Sequence, residues 1–104
     1  MAFPRRGEVY WVNLNPVRGR EMSKRRPGLI VSPDEMNEVL GTVIVAPITS
    51  TLRPWATRYT LTLSGRPRSV ALDQIRMIDA SRLGKRIAAV NPEPALEILR
   101  TMFA

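Results

Sequence analysis

The sequence contains no cysteine and no histidine. Without cysteine the chain forms no disulfide, thiol nucleophile or thiolate zinc site, and this absence fits a reducing compartment. Without histidine it has no histidine general acid or base, no Ser-His-Asp triad and no histidine metal site. Any proton transfer by this protein must therefore use carboxylates, arginine, hydroxyls or the substrate itself.

Long apolar runs are also absent. No stretch approaches the roughly 18 to 20 apolar residues that cross a bilayer, and the arginines of MAFPRRGE are not followed by the apolar segment of a signal peptide. Of the 104 residues, 44% are apolar and 24% charged, which is typical of a soluble globular protein. We expect one compact domain over residues 1–104, in the cytoplasm and not on a membrane.

Acidic residues are scarce, since nine Asp and Glu against sixteen Lys and Arg give a net charge of +7. Fourteen of the sixteen cations are arginine, whose planar guanidinium binds phosphate bidentately and stacks on bases. The charge therefore favours nucleic acid, or an acidic protein that mimics it, over a merely well-solvated basic surface.

Short apolar segments between turn residues predict strands over 7–14, 27–33, 42–49, 58–63 and 70–79, the last divided around Asp73 and Gln74. Residues 33–40 are typical of a short helix and 64–69 of a turn. A C-terminal helix capped by Asn91 should pack on the sheet through Leu96, Leu99, Met102 and Phe103. The sequence thus predicts a mainly β (α+β) fold: a small SH3-like barrel of short, mostly antiparallel strands with a helical insert and a C-terminal helix.

An arginine-rich loop precedes the strand PGLIVSP. Between residues 18 and 26 it carries one carboxylate, Glu21, and five cations: Arg18, Arg20, Lys24, Arg25 and Arg26. The strand should hold Arg26 more firmly than its neighbours, so Arg26 can stabilise developing negative charge without reorganising. The alternative is that the cations block edge-to-edge strand pairing.

Three more polar side chains follow apolar strands. Thr49 and Ser50 end the strand TVIVAPIT at the rim of the core, where hydroxyls can donate to phosphate oxygens, although both are also ordinary strand and turn residues. Asp73 in ALDQIR is a lone carboxylate, either a functional group or a turn side chain.

Three ordered motifs carry a resemblance to a known family. The segments RGEVYWVNLNPVRGREMSKRRPGLIVSP, VIVAPITS and ALDQIRMID closely resemble the MazF/PemK (Kid) family of toxin endoribonucleases from bacterial toxin–antitoxin pairs, over residues 6–103. The resemblance implies an SH3-like barrel, a homodimer, and metal-independent cleavage of single-stranded RNA, such as mRNA, at short sequences. It also implies inhibition by the acidic C-terminal segment of a cognate antitoxin.

The resemblance implies four catalytic residues. The arginine of the family's RP pair is Arg26 and the threonine of its second motif is Thr49. The glutamate of the G-x-E loop is Glu21, and the aspartate of the DQ pair is Asp73.

The chain departs from the family pattern near these residues. The PemK/Kid branch has a histidine before the glutamate and an arginine two residues before the aspartate, and these positions are Arg20 and Ala71 here. Met22 replaces the usual glutamine, and Ser23-Lys24 replace the usual small residue or glycine before the arginine pair. The departures bear on the acid/base assignment and on the RNA sequence read, more than on the reaction class.

RNA carries its own nucleophile, the 2′-hydroxyl, so the implied reaction requires no metal and no cofactor. By hypothesis, Arg26 neutralises the phosphorane and delivers a proton to the leaving oxygen, while Thr49 hydrogen-bonds a phosphate oxygen. Arginine is a poor base because its pKa exceeds about 12. Glu21 is therefore the preferred base, and Asp73 either shares that role or positions RNA.

We assign RNA binding to side chains of the arginine loop and of the exposed segment STLRPWAT with the residue that follows it. They are Arg18, Arg20, Lys24, Arg25, Ser50, Arg53, Trp55 and Arg58. Trp55 either stacks on an unpaired base or anchors its loop, and Trp11, in a strand, belongs to the core or to a dimer interface. The same basic groove suits an acidic antitoxin segment, which would compete with RNA.

Two other function classes stay open. A CcdB-like toxin is similar in fold but poisons DNA gyrase by binding it, and a non-catalytic RNA- or DNA-binding barrel needs only the charge. The presence of Arg26 and Thr49 favours cleavage.

Overall fold

One curled antiparallel sheet dominates the computed structural model, which describes residues 3–22 and 24–104. In that part of the chain the strands are β1 (Glu8–Asn13), β2 (Arg25–Ile30), β3 (Thr42–Thr49), β4 (Arg58–Leu63), β5 (Arg66–Ala71), β6 (Arg76–Asp79) and β7 (Leu83–Ala89). Helix α1 spans Asp34–Leu40 and helix α2 spans Glu93–Met102. The strands pair in the order β4-β5-β3-β2-β1-β7, and β6 also pairs with β3. The predicted mainly β fold, with a helical insert and a C-terminal helix, is confirmed.

Apolar side chains cover both faces of the sheet. Along β2, Leu29 belongs to a cluster that α2 covers, and Ile30 belongs to a second cluster, because successive strand residues alternate between faces. Burial on both sides explains why PGLIVSP and TVIVAPIT are continuous apolar runs. Gly28 lets β1 and β2 approach closely, because a Cβ at this position would lie 2.8 Å from Val12 Cγ2.

Strand β2 begins earlier than the sequence predicted. It starts at Arg25, two residues before Pro27, because Arg25 and Arg26 pair with Asn13 and Val12 of β1. The pairing fixes the backbone of Arg26 as expected, but it does so from within the strand.

The predicted turn over residues 64–69 was too long. The turn is confined to Ser64 and Gly65, which have φ of 53° and 76°. From Arg66 the chain is already strand β5, and Pro67 is tolerated there because it pairs with β4 alone, beyond the end of the β3–β5 ladder. Strand β7 was not predicted, and its pairing with β1 supplies its hydrogen bonds.

Helix α2 packs on the sheet as predicted, but with a shorter apolar face. The side chains that contact the core are Ala95, Ile98 and Leu99. Asn91 caps the first turn, since its Oδ1 accepts the Glu93 N–H at 3.1 Å. The prediction that Met102 and Phe103 pack was wrong, because both lie at the end of the helix and are exposed. In the described residues, neither helix is long and apolar enough to cross a membrane.

Candidate active site

Arg26 and Thr49 meet at one end of the β2–β3 ladder. These strands are antiparallel with Gly28 opposite Pro47, and the same register continued by two residues sets Arg26 across from Thr49. Strand alternation puts both residues on the face of Gly28 and Pro47. Arg26 is half-buried, and the buried Thr49 accepts the Thr51 N–H on its Oγ1 at 3.2 Å. Two of the predicted catalytic residues are thus neighbours on adjacent strands.

A cleft of about 310 Å³, the carboxylate cleft, brings Glu21 and Asp73 together. Its lining comprises Arg20, Glu21, Met22, Pro47, Asp73, Gln74, Ile75 and Arg76. Pro47 alternates with Thr49 along β3, so the cleft lies on the sheet face that carries Thr49. Glu21 and Asp73 thus share this cleft, on the sheet face that carries Thr49, whereas Arg26 lines a different cleft.

A hydrogen bond joins the loop of Glu21 to the segment of Asp73. The Met22 N–H donates to Gln74 Oε1 at 3.2 Å. Within the loop, the Arg18 N–H donates to Glu21 Oε1 at 2.8 Å, and the Glu21 N–H donates to the Arg18 carbonyl at 3.2 Å. Glu21 is exposed, so its carboxylate stands where a substrate can reach it.

Asp73 is held by an ion pair with two hydrogen bonds. Arg58 Nε donates to Asp73 Oδ1 at 2.8 Å, and Arg58 Nη2 donates to Oδ2 at 3.1 Å. Thr57 Oγ1 donates to Oδ1 at 3.1 Å. The hydrogen bonds from Arg58 hold the pKa of Asp73 below its usual value, although burial opposes them. A carboxylate with a lowered pKa is a weaker base, so this geometry suits positioning better than proton abstraction.

Arg58 and Trp55 tie the exposed loop to the site. The Arg58 side chain is 6% exposed, and its Cζ lies 4.7 Å from the centroid of the Trp55 ring. The exposed Arg53 has its Cζ 5.5 Å from the same centroid. Trp55 keeps half of its surface exposed. It therefore anchors its loop through Arg58 and also presents surface on which a base can stack.

Arg58 stands directly opposite Ala71 in the β4–β5 ladder. Ala71 is the position at which the resemblance implies an arginine. The neighbouring strand thus brings a guanidinium beside that position, in contact with Asp73.

Arg26 lines a second cleft of about 290 Å³, the arginine cleft. The other lining residues are Trp11, Arg25, Pro27, Ile48, Ser50, Leu63, Ser64, Arg68 and Ile87. Three arginines and the exposed Ser50 make this a basic surface beside the end of β3. Arg68 was not among the predicted site residues, because it lies in the segment 64–69 that the sequence predicts as a turn.

Lys24 and Arg25 line a further cleft of about 400 Å³ that also contains Trp11 and Arg82. Arg25 Cζ lies 5.6 Å from the Trp11 ring centroid, and Trp11 is exposed. The core alternative for Trp11 was therefore wrong, and its place in a dimer interface stays a prediction.

Two residues of the carboxylate cleft, Gln74 and Arg76, were not among the predicted site residues. Gln74 holds Met22, as described above, and Arg76 Nη1 donates to the Leu14 carbonyl at 2.9 Å. These contacts join residues 52 and 62 positions apart, and neither periodicity nor local composition reveals them. Ser23, one of the departures from the family pattern, lies outside the described residues.

Comparison with known proteins confirms the resemblance. Residues 5–102 match the family described as PemK-like, MazF-like toxin of type II toxin–antitoxin system. The chain is 31% identical over 103 residues to Endoribonuclease MazF of Staphylococcus saprophyticus, a match that covers 90% of this chain and 83% of the relative.

Solved structures agree in fold. MazF from Deinococcus radiodurans is 29% identical with a TM-score of 0.83, and the match covers 98% of this chain and 94% of that one. An endoribonuclease in complex with its cognate antitoxin, from Mycobacterial species, is 26% identical with a TM-score of 0.80, over 96% and 94% of the two chains. The family match over residues 5–102 and the 31% identical relative show that the chain belongs to the PemK-like, MazF-like toxin family of type II toxin–antitoxin systems.

Proposed function

We propose that this toxin endoribonuclease cuts single-stranded RNA, such as mRNA, at short sequences in the cytoplasm, without a metal or a cofactor. The observation that carries the proposal is the placement of Arg26 across from Thr49, on the sheet face that also lines the carboxylate cleft. The continued β2–β3 register sets a cation across from a hydroxyl donor, and the carboxylate cleft holds two carboxylates. This combination suits phosphate chemistry that proceeds without histidine.

The nucleophile in this mechanism is the 2′-oxygen of the RNA. Glu21 takes the 2′-hydroxyl proton, the oxygen attacks the adjacent phosphorus, and the bond from phosphorus to the 5′-oxygen breaks. Arg26 neutralises charge on the phosphate oxygens and gives a proton to the leaving oxygen, while the Thr49 hydroxyl donates to a phosphate oxygen. The products are a 2′,3′-cyclic phosphate and a 5′-hydroxyl.

The two carboxylates have different roles in this proposal. Glu21 is the base because it is exposed at the cleft. Asp73 is engaged by Arg58, and its lowered pKa makes it a weaker proton acceptor. Asp73 is therefore a positioning residue that holds Arg58.

Arg58 takes over the position of the arginine that the resemblance implies at residue 71. It stands opposite Ala71, and Asp73 fixes its guanidinium at the cleft. Its positive charge then acts on RNA from a fixed place, and the more exposed Arg53 and Trp55 contact the strand directly.

The RNA backbone contacts the positively charged side chains and one serine hydroxyl around the clefts. These are Arg18, Arg20, Lys24, Arg25, Arg68 and Ser50. The same basic surface suits the acidic C-terminal segment of a cognate antitoxin, so antitoxin and RNA compete for it. The complex of the mycobacterial relative with its cognate antitoxin supports this partner.

We also propose that the protein is a homodimer. Several large apolar side chains of the described residues are exposed, Trp11, Val39, Leu40, Met77 and Phe103 among them, and a second copy would bury such surface. Light scattering during size-exclusion chromatography tests this assembly. A mass of twice the 11.7 kDa chain is expected, and a monomer over the whole concentration range would contradict it.

The decisive experiment incubates the purified protein with a long, mostly unstructured RNA in EDTA and maps the ends of the fragments. Arg26→Ala and Thr49→Val are tested beside the wild type, because valine removes the hydroxyl but keeps the shape. Arg100→Ala is the matched control: it removes one arginine from the exposed side of α2, where Arg100 pairs with Glu93. Losing a preorganised group should lower the cleavage rate about a hundredfold to a thousandfold.

Discrete cuts with cyclic phosphate and 5′-hydroxyl ends, weakened in both site variants and kept in the control, would support the proposal. If Arg26→Ala cleaved RNA at more than about a tenth of the wild-type rate, the role proposed for Arg26 would be contradicted. RNA that stays intact while the protein binds it, or inhibition of gyrase supercoiling, would favour the two alternative functions.

A further inference from the structure

Ser69 is buried at 1% exposure, and its Oγ has no hydrogen-bond partner among residues 3–22 and 24–104. Nearly all buried polar groups in native proteins have a partner, so an unpartnered one requires an explanation. Serine is not required here for packing, because alanine would fill almost the same volume without the hydroxyl. The position of Ser69 in the sheet suggests what the hydroxyl does.

Ser69 pairs directly with Thr49 in the β3–β5 ladder and with Thr60 in the β4–β5 ladder. Directly opposite residues share a face of the sheet, with Cβ atoms about 4.5–5.5 Å apart. On the opposite edge of β3, the continued β2–β3 register sets Arg26 across from Thr49. Arg26, Thr49, Ser69 and Thr60 thus form a row of polar residues across β2, β3, β5 and β4. The unpartnered hydroxyl therefore stands next to the proposed phosphate donor.

The hydrogen bonds of Thr49 leave one acceptor site for Ser69. A threonine hydroxyl has one hydrogen and two lone pairs. The Thr51 N–H already occupies one lone pair. A second donor would fill the other lone pair, and the Thr49 hydrogen would then be directed to a third group.

We propose that Ser69 is a positioning residue for Thr49: with RNA bound, the Ser69 hydroxyl donates to Thr49 Oγ1, and Thr49 donates to the phosphate. The inference rests on the proposed function, which makes Thr49 the phosphate donor. Rotation of the small serine side chain between staggered positions aims its hydrogen at Thr49. The bond forms in a buried environment, where hydrogen bonds are stronger and polarise one another.

The test is a mutant cycle on cleavage under single-turnover and steady-state conditions. Ser69→Ala should lower kcat about fivefold to tenfold, as expected for one hydrogen bond, with little change in KM. In the Thr49→Val background the same substitution should have no further effect, because Ser69 acts only through the Thr49 hydroxyl. Ser69→Thr, which restores a hydroxyl, should recover most of the loss.

Thermal stability separates positioning from a structural role. Ser69→Ala should leave Tm unchanged or raised, since it removes an unpartnered buried hydroxyl. The matched control is Ser32→Ala, also at a buried serine, whose Oγ lies 2.5 Å from Asn37 Oδ1 and accepts the Ile44 N–H at 2.9 Å. That variant should lose Tm and keep the kcat of its folded fraction.

The inference is overturned if Ser69→Ala keeps the full wild-type kcat, or if it lowers Tm as much as Ser32→Ala does. It is also overturned if Ser69→Ala lowers activity in the Thr49→Val background as much as it does in the wild type. If the wild type cleaves RNA and Thr49→Val is impaired while Ser69→Ala is not, only this inference fails. A wild type that does not cleave RNA overturns the proposed function and this inference together.

Discussion

Replacing Arg58 with alanine should destabilise the protein far more than removing an exposed arginine. Arg58 is 6% exposed and makes two hydrogen bonds to Asp73, whose side chain is 26% exposed. Removing one partner of a buried ion pair costs about 3–5 kcal/mol, and the solvent access of Asp73 lowers this to about 2–3 kcal/mol. The contact with Trp55 adds about 0.5–1 kcal/mol. At about 4–8 °C per kcal/mol for a domain of this size, Tm should fall by roughly 10–30 °C.

Urea denaturation of Arg58→Ala, Asp73→Asn and the double variant measures the energy of the pair by itself. The coupling between the two substitutions should be about 1.5–3 kcal/mol at pH 7. Because the folded pKa of Asp73 is lowered, its contribution is complete above the unfolded pKa of about 3.9 and is lost as the pH falls through the folded value. Arg100→Ala, in an exposed pair on α2, should change stability little and serves as the control.

Coupling below about 0.5 kcal/mol at pH 7 would refute this reasoning, because the pair would then behave like an exposed one. Coupling that persists unchanged once Asp73 is protonated in the folded state would also refute it, since protonated Asp73 cannot form the ion pair. Arg58→Lys keeps the charge but loses the planar fork. It should recover part of the stability, and it supplies a folded variant if alanine proves too disruptive.

Four further outcomes are expected. Arg26→Lys keeps the charge but not the bidentate geometry, so single-turnover cleavage should slow by about tenfold or more, and a wild-type rate would contradict that geometry. Addition of EDTA should leave the cleavage rate unchanged, whereas a loss that Mg²⁺ restores would contradict the metal-free mechanism. Arg20→Ala should reduce the slope of log affinity against log salt for single-stranded RNA by about 0.7 in anisotropy titrations, and an unchanged slope would mean that Arg20 makes no phosphate contact. Gly28→Ala should cost about 1–3 kcal/mol in urea denaturation, because the new Cβ would lie 2.8 Å from Val12 Cγ2; wild-type stability would show that β1 and β2 can move apart there.

The sequence predicted the elements whose signals are local. Continuous apolar runs marked β2 and β3, and acidic residues after prolines marked both helices. Strand β7 was missed because glycine and two cations interrupt LGKRIAA, so its strand conformation depends on pairing with β1. The start of β5 was missed for a related reason: Gly65 and Pro67 are typical of a turn, and only pairing with β4 makes the segment from Arg66 a strand.

From the sequence, residue types and the family resemblance predicted which residues belong to the candidate site, but not how those residues are arranged. They indicated Arg26 and Thr49, which lie across from each other when the β2–β3 register is continued by two residues. The pairing of Arg58 with Asp73 was not predicted, because it joins residues 15 positions apart on different elements. The assignment of Arg58 to RNA contact stays a prediction; its guanidinium is engaged by a carboxylate, and its exposure is small.

The carboxylate cleft has a consequence for how the toxin matures. One wall comes from the loop of Met22 and the other from the segment of Gln74, 52 residues later in the chain. Between them, β3 must pair with β2 on one edge and with β5 and β6 on the other. Contacts between such distant segments form late and cooperatively in folding. A chain in which this sheet has not formed therefore has no assembled carboxylate cleft.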